Sequence, residues 1–385
     1  MGELPYTVFS LGEVQLHQLH TSQGKLFVMT EVAQQLFHEQ PTTFAKELRA
    51  GRYHKVQSHS RDVIHTAHVL GLPPELGNNG ITLLTTDVVE TLLTDRRRVE
   101  LVQPFRLALL KLASQESARL MAAGEYELAL PVALDAVKQG QALFRPAPAL
   151  QLFPLYLLAA QANLGLKRAK QCEDFLGLAS WLALKEPEAT TNVMRSQLSR
   201  LFGQLYALQG QHEEALQAFA EDVFYCAQEY GPEDARTSLG YYNLSKVFQS
   251  RGQMAKSLAC NDMVMHIWSS TLKSLVLGLE PETTVKIQHR SLPLGRTQLL
   301  EVVAMLQDIV SLRTQALGPS DKSVGDGHFT SSLALAHIGE TMRAREQLDA
   351  AISVTRDSDE QRVKLNQMAL ENLKRSEAQY EDAPQ

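Results

Sequence analysis

Six glycines stand in near-constant register through residues 104–357: Gly124, Gly165, Gly210, Gly252, Gly295 and Gly339, at intervals of 41, 45, 42, 43 and 44 residues. A helical pattern rich in Leu, Ala, Gln and Glu flanks each of them. One glycine followed by an alanine says little. Six in register restrict the chain to a stack of helix pairs, each pair closed by a tight turn. The stretch 201–219 shows the unit best. Gly203 and Tyr206 share one face of a first helix, Gly210 makes the turn, and Ala215 and Phe219 face back from the second. Gly124 with Ala129 repeats the arrangement.

A small residue in the first helix, a turn glycine and an alanine early in the second are the pattern of tetratricopeptide repeats. The expected fold is therefore all-α: a tetratricopeptide α-solenoid of about six long-period helix pairs, preceded by a small, mostly helical module. The period exceeds the ~34 residues of the standard unit, so longer helices and longer connections are expected. Two connections look alike, 230–234 (Tyr-Gly-Pro-Glu-Asp) and 317–321 (Leu-Gly-Pro-Ser-Asp). Glycine followed by proline stops a helix, and Asp234 or Thr237 is placed to cap the next. In the fifth unit Pro281 and Pro293 restrict the first helix, which is expected to be short or displaced, and Leu300 stands at the alanine position.

Residues 1–103 read differently. Seven of the twelve histidines fall between His17 and His68. Short helices are expected over 32–37, 44–48, 62–70 and 86–93, a strand over 81–84, a strand or turn over 51–56 and a turn over 76–80. Arg96, Arg97 and Arg98 followed by Pro104 mark a helix end and a domain join near 103. Residues 358–385 are expected to form a capping helix with a frayed end. The domains so read are 1–103, a small helical or α+β module with a minor sheet, 104–357, the repeats, and 358–385, the cap and tail.

The 385 residues carry 37 Lys and Arg against 43 Asp and Glu. Residues 1–100 carry nine against eleven, so no phosphate-binding face is indicated and no nucleic-acid partner is expected. No apolar run approaches the ~20 residues of a membrane span. The first residues lack the pattern of a secretory leader. Cys172, Cys226 and Cys260 lie far apart, which fits a reducing compartment and excludes a zinc module of paired cysteines.

No nucleophile elbow, phosphate loop, dinucleotide fingerprint or H-E-x-x-H motif is present. The chain is expected not to be an enzyme and to hold no cofactor or metal. His59, His65 and His68, with Asp62, are the one weak metal constellation, read as a polar helix face and loop. Cys226 is read as a packing residue, and Trp181 and Trp268 as core or inter-repeat packing. The basic run 96–98 is read as solvated, with an acidic partner or tubulin tail as the sharper alternative. Chaperone-tail clamps use an asparagine nine residues before the turn glycine. The equivalents here are Gln115, Tyr156, Leu201, Asn243, Lys286 and Thr330, so only Asn243 fits.

Two stretches carry a resemblance. One is 156–165 (Tyr-Leu-Leu-Ala-Ala-Gln-Ala-Asn-Leu-Gly), continuing to 181–185. The other is 221–227 (Glu-Asp-Val-Phe-Tyr-Cys-Ala), with Gly231, Glu233, Asp234, Arg236, Thr237, Ser238, Gly240, Tyr241, Asn243 and Leu244. Over 104–357 the chain resembles the ciliary tetratricopeptide proteins whose animal members carry an N-terminal MYND zinc finger. Their algal counterpart is an accessory subunit of single-headed inner-arm dynein d. The finger needs about seven cysteines and a histidine and is absent here, so no zinc function carries over. The resemblance implies a non-catalytic subunit of the cytoskeleton, in the axoneme of a cilium or flagellum. It would help dock an inner-arm dynein heavy chain to doublet tubulin, beside a second tetratricopeptide subunit, actin and a dynein light chain.

The expected contact segment is 231–242, with Gly231, Glu233, Asp234, Arg236, Thr237, Tyr241 and Tyr242, and with Asn243 next to it. The alternative is that Asp234 and Arg236 only stabilise the connection between repeats. Removing both charges separates these: lost partner capture with intact helicity marks a contact, equal loss of both marks a structural element. The competing functions are a soluble cargo or assembly adaptor resembling kinesin light chains, and an enzyme built on the N-terminal histidines.

Overall fold

The computed structural model describes residues 5–11, 14–22, 24–51, 53, 55–72, 81–95, 98–279, 296–355 and 359–381. They fall into two compact units, Met1–Leu158 and Ala159–Gln385.

The first unit opens on a sheet. Strands β1 (Tyr6–Leu11), β2 (Val14–Thr21), β3 (Gly24–Val28), β4 (Val56–Ser58) and β5 (Ile81–Leu84) lie in the order β1-β2-β3-β5-β4, every pair antiparallel. Side chains alternate between two covered faces. Phe9 opposite Leu16, and Phe27 opposite Leu84, point to one. Leu19 opposite Leu26, and Val28 opposite Leu83, point to the other. Helices α1 (Met29–Phe37), α2 (Pro41–Ala50) and α4 (Thr86–Asp95) cover the first face, and Val63 of α3 (Arg61–Val69) the second. Pro41 sits in the opening turn of α2, where its missing N–H leaves no helix bond unmade.

The helices of this module match the sequence expectation. The sheet is larger than expected, because β1, β2 and β3 were not foreseen. Helix α5 (Val99–Ala122) runs unbroken through Pro104, which removes one hydrogen bond near the helix start. The next residue explains why the helix holds there. Phe105 is fully buried in the sheet's own core, its ring 5.1 Å from Phe9 and 6.0 Å from Phe27.

The remaining helices form pairs. These are α5 with α6 (Tyr126–Leu143), α7 (Phe153–Gly165) with α8 (Ala169–Lys185), α9 (Asn192–Leu208) with α10 (His212–Tyr230), α11 (Ser238–Ser250) with α12 (Met254–Leu277), and α14 (Lys322–Ile338) with α15 (Thr341–Val354). Helix α13 (Arg296–Leu317) precedes the last pair and α16 (Glu360–Glu381) follows it. Ala369 and Leu373 of α16 enter the same core as Trp268, Leu306, Leu333 and Leu348, so α16 is a packed cap. The α-solenoid expectation holds for these pairs. Gly295 and the helix expected over 281–294 lie outside the described residues, as do Arg96, Arg97 and the turn at 76–80.

One turn closes every pair. Gly124, Gly210, Gly252 and Gly339 are left-handed, with φ of 77°, 75°, 70° and 88°. The next residue's N–H then reaches back five residues into the first helix, as from Gln211 to Tyr206 and from Gln253 to Phe248. The pair α7–α8 makes the same turn two residues later than expected. Gly165 is still helical, and Lys167 takes the left-handed position at φ 56°, with Arg168 bonding back to Asn163. The left-handed residues 124, 167, 210 and 252 are thus spaced 43, 43 and 42 apart, more evenly than the glycines.

This register also orders the packing. Five residues after the turn stand Ala129, Cys172, Ala215, Ser257 and Ala344, all fully buried. Cys172 takes this place in the pair α7–α8, and burial pushes its thiol up to about 11. Seven residues before the turn stand Ser117, Ala160, Gly203, Ser245 and Ser332, also buried. Small residues at both positions let the paired helices approach closely. Leu300, at the alanine position of the fifth unit, is exposed, and Leu299 is buried instead.

A left-handed conformation strains any residue with a Cβ, and the Lys167 side chain is exposed. Lys167→Gly is expected to stabilise the second unit by about 0.5–1 kcal/mol. Both tryptophans, Trp181 and Trp268, lie in that unit, so urea unfolding followed by tryptophan fluorescence reads it directly. An unchanged or lower midpoint would show that Lys167 is not strained.

Candidate protein-interaction surfaces

The connector between α10 and α11 is bonded to itself. Arg236 forks onto Asp234, with Nε 2.7 Å from Oδ1 and a terminal nitrogen 2.9 Å from Oδ2, and its backbone N–H also bonds Oδ1. Its guanidinium lies 3.5 Å from the Tyr230 ring centre. The planar fork satisfies the carboxylate while its face rests on the ring. Thr237 is buried and donates to the Gly231 carbonyl at 2.8 Å, so it ties the loop rather than capping α11. Gly231 has φ 103°. Trp268 is buried, as expected, and donates to the Ser238 hydroxyl at 2.9 Å. Tyr242 donates to Asp308 at 2.9 Å, and Lys246 reaches the same carboxylate at 3.0 Å. Burial, with that bond, holds the Tyr242 phenol above its ordinary range. Burial also raises the half-buried Tyr241. Glu233 is partly exposed, and Asn243 keeps a buried amide nitrogen with no partner among the described residues.

Beneath the connector lies a buried ionic tie. Asp222 of α10 is fully buried and accepts from Ser196 at 2.6 Å and from Arg200 at 2.9 and 3.0 Å. Arg200 remains 23% exposed. Gly240 of α11 crosses at this point, where a Cβ would meet Val223 at 2.6 Å and Asp222 at 3.2 Å. Asp222 stands in the resemblance segment, but its role needed the partner 22 residues away.

The described histidines of the first unit form no shared centre. His65 and His68 sit on α3 and His59 precedes it. Among the described residues no three His, Cys, Asp or Glu side chains converge as metal ligands. His17 and His20 are engaged elsewhere. His17 Nδ1 lies 2.7 Å from Glu31, whose carboxyl burial raises, and His20 lies 2.7 Å from the Thr7 hydroxyl. Cys226 is buried and its thiol is raised by burial, as a packing residue's should be.

The expectation for Trp181 is corrected. It is 48% exposed on α8, between Leu178 and the still more open Leu184. The repeat register gives the reason: Trp181 stands fourteen residues after Lys167, on the outer face of its helix. Phe224, fourteen after Gly210, holds the same position in the next pair and is 57% exposed. Repeat geometry therefore sets the two aromatics on one face. Gly177 lies on the same exposed side of α8, with open space around it.

No known family profile matches the sequence. Similar solved structures include BtubC (BKLC) from P. vanneervenii, 14% identical over 67% of this chain and 87% of that one, with a TM-score of 0.42. A putative kinesin light chain from Podosopora anserina with TPR-like repeats is 13% identical over 64% and 93%, with a TM-score of 0.34. The apo form of RapI is 12% identical over 71% and 72%, with a TM-score of 0.36. At such distances the fold assignment rests on the turn and packing register above. No helix among the described residues is long and apolar enough to cross a membrane.

Proposed function

We propose that this chain is a non-catalytic scaffold whose helical repeats hold protein partners. The observation that supports this is the open face of Trp181 and Phe224. Large aromatics at one repeat position, unused by the core, are what a binding face supplies. The connector 231–237 and the start of α11 add a second contact, the connector's internal bonds fixing the loop that presents Glu233. On the resemblance of residues 104–357, the assembly served is a single-headed inner-arm dynein on the axonemal doublet, with the heavy chain, a second tetratricopeptide subunit, actin and a light chain as neighbours.

Fractionation of isolated cilia or flagella tests this placement. The chain is expected to survive detergent extraction and to leave with an inner-arm heavy chain in high salt, as polar contacts are screened. Recovery only from cell-body cytosol would replace the axonemal reading with the adaptor reading.

A further inference from the structure

Strand β1 lies at one end of the sheet, and among the described residues no strand pairs with its outer side. Antiparallel ladders alternate, so every second residue of an end strand turns its N–H and C=O away from its neighbour. The His20 N–H bonds the Pro5 carbonyl at 2.9 Å. Following the register from that bond, Thr7, Phe9 and Leu11 face β2, and Tyr6, Val8 and Ser10 face outward. The side chains alternate in step. Phe9 and Leu11 are buried, whereas Tyr6 is 44% and Val8 41% exposed, and Ser10 is exposed too.

The two ends of the sheet are built differently. Natural sheets blunt an open edge with a short strand, a lysine, a proline or a bulge. The β4 end follows that rule, with a strand of three residues preceded by Lys55. Strand β1 has six residues, Tyr-Thr-Val-Phe-Ser-Leu, with no charge, no proline and no bulge in its register with β2. Such an edge is a template for a further strand. Its lack of charge allows that strand to be β1 of a second copy. The outward residues are symmetric about Val8. With a two-fold axis there, Val8 meets the other copy's Val8, and Tyr6 meets the other copy's Ser10, each pair exchanging two backbone bonds. No outward donor or acceptor of β1 is left over, and no like charges within the strand oppose one another. The exposed Val8 side chains come together on one face, with Tyr6 of each copy diagonal to the other copy's Val8.

We propose that two copies of this chain join here, β1 against β1, into one continuous antiparallel sheet. The contact belongs to the first unit and is separate from the aromatic face and connector that carry the scaffold role. One strand edge is small against the ~1,200–2,000 Å² of a stable complex. The dimer is therefore weak and reversible, with a dissociation constant on the order of 10 µM.

Sedimentation of the full chain between about 1 and 100 µM is expected to show monomer passing to dimer. Val8→Lys sets two ammonium groups opposite each other at the axis and should weaken the dimer by about tenfold or more. Ser10→Pro removes an N–H that is turned away from β2, and should weaken it similarly. Gln57→Lys, exposed on β4 at the far end of the sheet, should change it by less than about twofold. Both β1 variants are read with native circular dichroism. Hydrogen exchange of the unaltered chain decides the matter if either loses it, because protection of residues 6–11 should rise with concentration. A monomer throughout would leave the edge to a foreign strand and overturn the proposal. A dimer that survives Val8→Lys and Ser10→Pro, equal loss in Gln57→Lys, or exchange at 6–11 that ignores concentration would do the same. Fractionation reads the scaffold role separately, so a chain that is monomeric yet stays on the axoneme removes only this contact.

Discussion

Arg200→Ala is expected to destabilise the second unit by about 3–5 kcal/mol, among the largest effects of any single polar substitution in it. The reason is asymmetric burial. Asp222 is fully enclosed and Arg200 is 23% exposed. Removing the arginine strands a carboxylate that cannot reach water. Removing the aspartate leaves a guanidinium that can turn outward. Asp222→Ala should therefore cost less than Arg200→Ala, although it deletes the same bonds. The urea midpoint followed by tryptophan fluorescence gives both values, with slopes of roughly 1–3 kcal/mol per molar urea. Equal losses, or a larger loss for Asp222→Ala, would show that solvent access does not set the balance.

The second large effect is Gly203→Ala. Within a helix this change ordinarily gains about 1 kcal/mol. Here the new methyl would sit 2.6 Å from two ring carbons of Phe219 and 2.9 Å from a third. Phe219 is itself buried, in a cluster with Ala215 and Val247, and has little room to retreat. Overpacking of this kind costs about 1–3 kcal/mol, so net destabilisation is expected. Adding Phe219→Leu to Gly203→Ala should recover part of the loss, because the ring is the obstacle. A stabilised single variant would mean that the helices separate readily at this point.

Both positions lie between α9 and α10, and they differ in how far the sequence revealed them. Gly203 was legible from its spacing to Gly210 and Ala215, which are local facts. The Arg200–Asp222 tie was not, because its members belong to different helices and neither has a distinctive neighbour. Lys167 misled for another reason. A left-handed turn favours glycine without demanding it, so the nearby Gly165 drew the turn two residues early. Strands β1, β2 and β3 passed unnoticed because residues such as His17 and Gln18 interrupt the apolar alternation, and Gln18 is buried all the same. Trp181 illustrates the limit of composition: a tryptophan in a helical repeat reads as core until its position relative to the turn is known.

Phe105 carries a consequence for how the chain comes together. Each helix pair closes through a turn of a few residues and packs mostly on helices near it in sequence. The sheet does not have that independence. Its core includes a ring from the helix that opens the first pair, far along the chain from Phe9. During synthesis the strands must wait, with apolar side chains open to misassociation, until α5 has left the ribosome. A fragment ending at residue 103 would stay in that waiting state, whereas one extended through α6 would carry the ring that completes its core.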